Sequence, residues 1–105
     1  MALPPRTPEQ RAADLEKAKI IRAERARYKK ILKEGVVPLA DVLRVGAEDD
    51  ALMKMKVLAL LQSMPGVGKV RATQIMGRLG IAENRRVKGL GVNQRQALED
   101  EFAAA

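Results

Sequence analysis

The pattern of hydrophobic and polar positions predicts helices along the whole chain. Apolar side chains recur at the three- and four-residue spacing of an amphipathic helix, and no stretch of four to eight residues alternates convincingly between apolar and polar side chains. A half-buried β-strand requires that alternation. We therefore expect an all-α protein without a sheet.

The first predicted helix is long. Thr7 can cap its N-terminus, Pro8 suits the first helical position and Gln10 completes a capping box. Gly35 marks its end, which gives about 27 residues, or roughly 40 Å. Large apolar side chains are sparse in the first half and denser from Ile21 onward. We expect the second half to pack and the first half to project into solvent.

Two shorter helices are predicted in the middle of the chain. One lies between Pro38 and Gly46, which are typical residues for a helix start and end. The other spans residues 51–63, is almost entirely apolar and can be capped by Asp49 or Asp50. Its composition makes it the expected central helix of the core.

Two further helices are predicted after a glycine-bearing turn. The first ends at Gly80, and its expected buried face consists of Val70, Ile75, Met76 and Leu79. The second begins at a capping box of Asn93 and Gln96, with Val92 and Ala97 as a hydrophobic staple, and ends near Phe102. On these boundaries, residues 1–37 form a partly projecting helix and residues 38–105 form a small helical domain.

The glycine-bearing turn is the strongest candidate for binding chemistry. Because Gly66 and Gly68 lack a Cβ, the backbone can adopt positive φ and an anionic oxygen can approach its N–H groups. The helix that follows adds unpaired N–H groups and the positive end of its dipole. Lys69 and Arg71 are unfavourable for helix stability at that end, which favours a functional reason for them. A plain helix–helix turn is the alternative.

A nucleotide-hydrolysing P-loop matches this turn poorly. The P-loop pattern requires Gly where the chain has Ser63, and Ser or Thr where it has Val70. Without that hydroxyl, the usual magnesium ligand is absent. A helix, a tight turn and a second helix instead indicate a hairpin that grips a nucleic-acid backbone.

Charge independently favours a polyanionic partner. The 105 residues contain 20 Lys and Arg against 13 Asp and Glu, which gives a net charge of +7 and a pI near 10.1. The absence of Cys and His excludes disulfide frameworks, zinc fingers, Cys nucleophiles and His-based acid–base catalysis. One Tyr, one Phe and no Trp provide no platform for stacking single-stranded bases, so a duplex backbone is the better target.

The sequence shows no transmembrane run and no signal-peptide pattern. We therefore expect a cytoplasmic protein that binds no membrane and needs no cofactor or metal.

Several segments along the chain match those of a known family. They are Met1-Ala2-Leu3-Pro4, residues 7–13, 54–57, 60–61, 65–70 and 75–76, and Arg85-Arg86-Val87-Lys88-Gly89-Leu90-Gly91. On these segments the chain resembles the actinobacterial integration host factors. The resemblance implies an all-α fold with a long N-terminal helix, followed by a small helical domain that carries a helix-two-turns-helix DNA-binding element.

The same resemblance implies a function. It indicates a nucleoid-associated, non-catalytic protein that grips the phosphate backbone of double-stranded DNA with little sequence specificity. Such a protein bends or compacts DNA and supports phage site-specific integration. We expect it to be monomeric in the absence of DNA.

The expected DNA contacts fall into four groups. The resemblance assigns phosphate binding to Gly66, Val67, Gly68, Lys69 and Arg71. It assigns further backbone binding to Arg85, Arg86 and Lys88, where Lys88 replaces an arginine common in relatives and loses its planar fork. Lys54 and Lys56 are candidate exposed contacts. Part of a basic run in the first helix completes the set: Arg22, Arg25, Arg27, Lys29, Lys30 and Lys33.

Two alternative functions remain at this point. An RNA-binding or ribosome-binding protein would use a similar backbone grip, which does not by itself distinguish the duplex types. A DNA glycosylase or lyase shares the turn, but this chain begins Met1-Ala2 with no proline beside the initiator, lacks zinc-finger cysteines and is short for a base-flipping pocket.

Overall fold

The computed structural model describes residues 4–103, and within that range the protein contains helices and no strand, as predicted. Met1, Ala2 and Leu3, which contribute to the resemblance, lie outside the described residues. The helices are α1 (Pro8–Glu34), α2 (Leu39–Val45), α3 (Asp50–Met53), α4 (Val57–Gln62), α5 (Lys69–Arg78) and α6 (Val92–Glu101), with one 3₁₀ turn at Val87–Gly89.

Helix α1 has the predicted ends. The Thr7 hydroxyl accepts a hydrogen bond from the Gln10 N–H at 3.1 Å, and the Gln10 side chain accepts one from the Thr7 N–H at 2.9 Å. At the other end, Gly35 adopts φ 71° and its N–H donates to the carbonyl of Leu32 at 3.1 Å. Because a residue with a Cβ is strained at that φ, glycine is the natural stop.

The two halves of α1 have different surroundings. In the second half, Leu32 is fully buried and Tyr28 and Ile31 pack partly against the core. In the first half, Leu15 is 72% exposed and Ile20 is 55% exposed. The packing of the second half is therefore as predicted, whereas the division of the chain between residues 37 and 38 stays a prediction.

The core lies where the second half of α1 meets the small helices. Helix α1 packs on α2 and α3, and α4 packs on α5. The large side chains with almost no exposure are Leu32, Leu39, Leu43, Leu52, Leu60, Leu61, Met76 and Leu98. Within residues 4–103, every helix is too short or too polar to span a lipid bilayer.

The prediction of one central helix over residues 51–63 is wrong. The segment forms α3 and α4, separated by residues 54–56. At this break, the Val57 N–H donates to the Arg85 carbonyl at 2.9 Å, and the Val87 N–H donates to the Met55 carbonyl at 2.9 Å. Lys56 and Arg86 thus form an isolated antiparallel bridge. The backbone leaves the helix because it pairs with a segment distant in sequence.

Two details of the last helices also differ from prediction. Val70 is 73% exposed, and Ala72 occupies the buried face of α5 instead. Helix α6 begins at Val92, so Asn93 and Gln96 do not form its cap. Instead, the Gly91 N–H donates to the Gln94 side chain at 3.0 Å. Val92 is 86% exposed and makes no staple.

Candidate nucleic-acid interface

The glycine-bearing turn joins α4 to α5 and is held by its own backbone. Gly66 has φ 72°, the positive value that glycine tolerates best. The Val67 N–H donates to the Met64 carbonyl at 3.1 Å, and the Val67 side chain is only 6% exposed. In the free protein, Val67 therefore anchors the turn, and its direct contact with a phosphate stays a prediction.

Gly68 differs from the expectation of positive φ. Its φ is −88° and its ψ is −177°, an extended conformation open to any residue. A Cβ built there meets nothing within 4 Å. The fold therefore does not require glycine at this position, which leaves the close approach of a ligand as a reason for it.

Helix α5 presents backbone donors beside this open space. Within the described residues, the N–H groups of Gly68, Lys69 and Val70 have no hydrogen-bond acceptor. No side chain caps the helix N-terminus, where the dipole of a ten-residue helix favours an anion. The free N–H groups and the helix dipole therefore both favour an anionic oxygen at this position.

Three lysines of α1 face the same space. Lys29, Lys30 and Lys33 form one wall of an open groove of about 730 Å³, and residues 62–68 form the other wall. We name this feature the glycine-turn groove. It brings three lysine side chains and the backbone of the turn to one open space, and ammonium groups with backbone donors are the combination that holds phosphate oxygens. The sequence had identified the basic run of α1 but not which members reach the turn.

A second basic cluster surrounds the bridge between residues 54–57 and 85–87. The bridge brings together the predicted contacts from two separate segments: Lys54, Lys56, Arg85, Arg86 and Lys88. We name these five side chains the bridge cluster. Lys56 and Lys88 are exposed and, within the described residues, make no ion pair.

The other members of the bridge cluster have internal partners. The Arg86 guanidinium donates to the Lys54 carbonyl at 2.6 Å, and the Arg85 guanidinium donates to the Gly89 carbonyl at 3.1 Å. Lys54 lies 4.0 Å from a carboxylate oxygen of Asp50. The two arginines therefore shape the loop, and each keeps further N–H groups for an external acceptor.

Helix α5 also carries one cation that is already neutralised. Arg78 donates to both carboxylate oxygens of Glu101, at 3.0 and 2.5 Å. These hydrogen bonds hold the pKa of Glu101 below its ordinary value, and the charge of Arg71 adds a smaller effect. Arg71, in contrast, is exposed and makes no ion pair within residues 4–103.

Comparisons with known proteins agree with this architecture. The S13-like H2TH domain family matches residues 32–102. The integration host factor of Streptomyces coelicolor is 62% identical over 99% of this chain and 97% of its own. That of Mycobacterium tuberculosis is 52% identical over the full length of both chains.

A solved structure shows the same likeness in three dimensions. The structure of sIHF bound to an 8 bp palindromic DNA matches with a TM-score of 0.80 and 58% sequence identity, over 84% of this chain and 99% of that one. The full-length relatives, the domain match and the shared fold lead to one assignment. This chain belongs to the actinobacterial integration host factor family, and its residues 32–102 form the S13-like H2TH domain.

Proposed function

We propose that this protein is a nucleoid-associated protein that binds double-stranded DNA through its phosphate backbone, without catalysis. The observation that carries the proposal is the glycine-turn groove, where three lysines of α1 line the same open space as Gly68, whose N–H is unpaired just before α5. The likeness to sIHF, which was solved with DNA, supports DNA as the ligand.

The two basic features suggest how the duplex is held. The glycine-turn groove accepts one run of phosphates, and the bridge cluster accepts another. Phosphate contacts fix the position of a protein on DNA but carry no direct base information, so specificity comes mainly from DNA shape. A small rigid body with two positive surfaces can bend or compact DNA. Membership of a family named for host factors of integration supports the further proposal that the protein is located in the nucleoid and assists phage integration.

The proposed site residues have distinct roles in this mechanism. Backbone N–H groups of Gly66 and Gly68 approach the phosphate, while Lys69 and Arg71 add positive charge at its edge. Val67 fixes the turn that holds these groups in place. In the bridge cluster, all five side chains supply charge, and Arg85 and Arg86 also maintain the loop.

Equal-length DNA and RNA duplexes provide the first test. Fluorescence anisotropy at 0.1 M salt should show tighter binding to the DNA duplex, because the structurally similar sIHF was solved with a DNA duplex. Equal or tighter binding to the RNA duplex would favour the RNA-binding or ribosome-binding alternative.

A matched pair of variants tests the groove itself. Changing Lys29, Lys30 and Lys33 to Gln should make the slope of log affinity against log salt shallower by about 2.7, which corresponds to three lost phosphate contacts. The control changes Arg6, Arg44 and Arg78 to Gln, three exposed cations that each pair with a carboxylate. The control loses the same net charge. An equal effect of both variants would show that overall charge, and not the groove, binds DNA.

A further inference from the structure

A second open groove lies between the first half of α1 and the start of α3. It has a volume of about 480 Å³, and Ala13, Ile20, Ile21 and Ala51 form its apolar lining. Ala51 is buried, Ile21 is half-buried and Ile20 is 55% exposed. We name this feature the α1–α3 groove. A concave apolar surface within a polar rim is typical of a protein-binding site.

The polar rim of the α1–α3 groove is negative, although the protein has a net charge of +7. Four carboxylates and one ammonium group form this rim: Glu16, Glu24, Asp49, Asp50 and Lys17. Glu16 is exposed and makes no ion pair within residues 4–103. The local charge therefore favours a cationic ligand and disfavours an anionic one.

Three of the rim carboxylates have partners inside the protein. Asp49 accepts two hydrogen bonds, at 2.5 and 2.9 Å. Glu24 lies 3.3 Å from Arg27, and Asp50 lies 4.0 Å from Lys54. Both cations are exposed, and exposed ion pairs contribute little to stability. An external cation can therefore compete for Glu24 and Asp50.

The α1–α3 groove and the glycine-turn groove lie on opposite sides of α1. At 100° per residue, Ile20 lies about 140° and Glu24 about 180° around the helix from Lys33. Lys33 lines the glycine-turn groove, whereas Ile20 and Glu24 line the α1–α3 groove. A duplex held at the glycine turn therefore leaves the α1–α3 groove open.

The chemistry of the groove selects its occupant. The negative rim repels nucleic acid and anionic lipid. A second copy of the chain would have to present the glycine-turn groove or the bridge cluster, and the proposed function commits both to DNA. Resting on that function, we propose that the α1–α3 groove docks an amphipathic helix of a different protein. This helix carries aliphatic side chains on one face and Lys or Arg along the edges of that face.

The dimensions of the groove fit such a helix. From Ala13 to Glu24, α1 rises about 16 Å, which equals three turns of an α-helix. The aliphatic face of the partner covers Ile20 and Ile21, and its basic edges approach the rim carboxylates. DNA on one side of α1 and a protein on the other are then held together by a single small domain.

A designed peptide provides the probe. The peptide has about 14 residues, with Leu and Lys at the spacing of an amphipathic helix, and carries a fluorescent label. Anisotropy with the unaltered protein should show saturable one-to-one binding with a Kd below about 100 μM. A peptide with Glu in place of Lys should not bind. In isotope-labelled protein, the Leu–Lys peptide should shift the amide resonances of the groove lining. Lack of saturable binding, or shifts centred elsewhere, would overturn the proposal.

Two double variants on α1 test the groove directly. The groove variant carries Glu16→Gln and Ile20→Gln, and the control carries Glu34→Gln and Leu15→Gln. Each variant removes one carboxylate and one exposed apolar side chain, but the control residues lie outside the groove lining. The groove variant should bind the Leu–Lys peptide at least about tenfold more weakly, because it loses an apolar contact and a rim charge. The control should bind the peptide as the unaltered protein does.

A conservative variant and circular dichroism check the fold. Glu16→Asp with Ile20→Leu keeps the charge and the apolar surface, so it should retain peptide binding. All variants should have the helical content of the unaltered protein. An equal loss of peptide binding in the groove variant and the control would overturn the proposal.

Two further measurements distinguish this proposal from others. Affinity for a 24 bp duplex should be the same in the groove variant and the unaltered protein, and a loss of DNA binding in that variant would overturn the separation of the two sides. In sedimentation equilibrium, a dimer of the unaltered protein that the groove variant does not form would make a second copy the occupant and overturn the proposal. Failure of the unaltered protein to bind DNA would instead overturn the proposed function, since peptide binding is measured without DNA.

Discussion

Gly68→Ala separates the requirements of the fold from those of the ligand. Gly68 has φ −88° and ψ −177°, which alanine adopts without strain, and the added Cβ meets nothing within 4 Å. Gly66→Ala would be less informative because φ 72° strains any residue with a Cβ. The substitution at Gly68 therefore adds one methyl group to an open surface.

Its expected effect on stability is small. Alanine restricts the unfolded chain, which stabilises the native state by about 0.4–1 kcal/mol. Alanine is also a poorer N-cap than glycine, which costs a similar amount at the start of α5. Since these effects oppose each other, the free energy of unfolding should change by less than about 1 kcal/mol.

Its expected effect on binding is large. A methyl group beside the free N–H groups of Gly68 and Lys69 prevents a phosphate oxygen from reaching hydrogen-bond distance. A hydrogen bond to a charged group contributes about 1.5–3 kcal/mol. Loss of one such contact weakens affinity by roughly 10- to 150-fold.

Gly77→Ala is the matched control. Gly77 lies in the last turn of α5, and a Cβ there also meets nothing within 4 Å. Alanine should stabilise the helix by at most about 1 kcal/mol without changing affinity. Urea unfolding gives the stability of both variants, and anisotropy with a 24 bp duplex gives their affinity. Binding of the Gly68 variant at the unaltered level would show that no phosphate approaches the backbone of the turn.

Three further outcomes are expected. If five to seven phosphates are neutralised, log affinity for duplex DNA should fall with log salt at a slope of roughly −5 to −6, and a slope shallower than about −2 would contradict the clamp. Changing Arg85, Arg86 and Lys88 together to Ala should weaken binding to all duplex sequences alike and make the slope shallower by about three, whereas a loss confined to one preferred sequence would mean that they read bases. Burial and the hydrogen bond to Asp49 at 2.5 Å raise the pKa of Tyr28 to about 12, so stability present below pH 10 should decline as pH rises from 10 to 12. In Tyr28→Phe, thermal unfolding should show a smaller loss of stability between pH 10 and 12 than in the unaltered protein. An equal loss in the variant would show that Tyr28 is not its cause.

Local signals predicted much of the fold. The capping box of Thr7 and Gln10, the stop at Gly35 and the limits of α2 all depend on residues within a few positions of each other. Gly80, with φ 71°, likewise lies just beyond α5 as predicted. Such features can be read from sequence because the hydrogen bonds that stabilise them are local.

The wrong predictions share a non-local cause. Apolar spacing continues across residues 54–56, but the pairing of Met55 and Val57 with residues 85–87 interrupts the helix. The start of α6 is also set from a distance, since Gln94, which accepts the Gly91 N–H, donates to the carbonyl of Gly80 at 2.9 Å. Residues 85–87 and Gly80 lie outside the stretches of apolar periodicity from which these two helices were predicted.

The candidate site was predictable in its parts but not in its assembly. Glycine and charge patterns identified the turn and the basic loop, and their role in DNA binding stays a prediction for each residue. The meeting of α1 lysines with the turn depends on how α1 packs on the core through Leu32. A sequence pattern shows which face of a helix is charged, but it does not show what lies opposite that face.

The uneven burial of α1 has a consequence for how the helix forms. Isolated helices shorter than about 12–15 residues are marginal in water because nucleation is costly, while each added residue propagates an existing helix at little cost. The buried turn around Leu32 supplies a permanent nucleus, from which the exposed half extends toward the capping box at Thr7. We therefore expect the order of the N-terminal half to depend on elongation from the core, and the first turns of α1 to open and close independently of global unfolding.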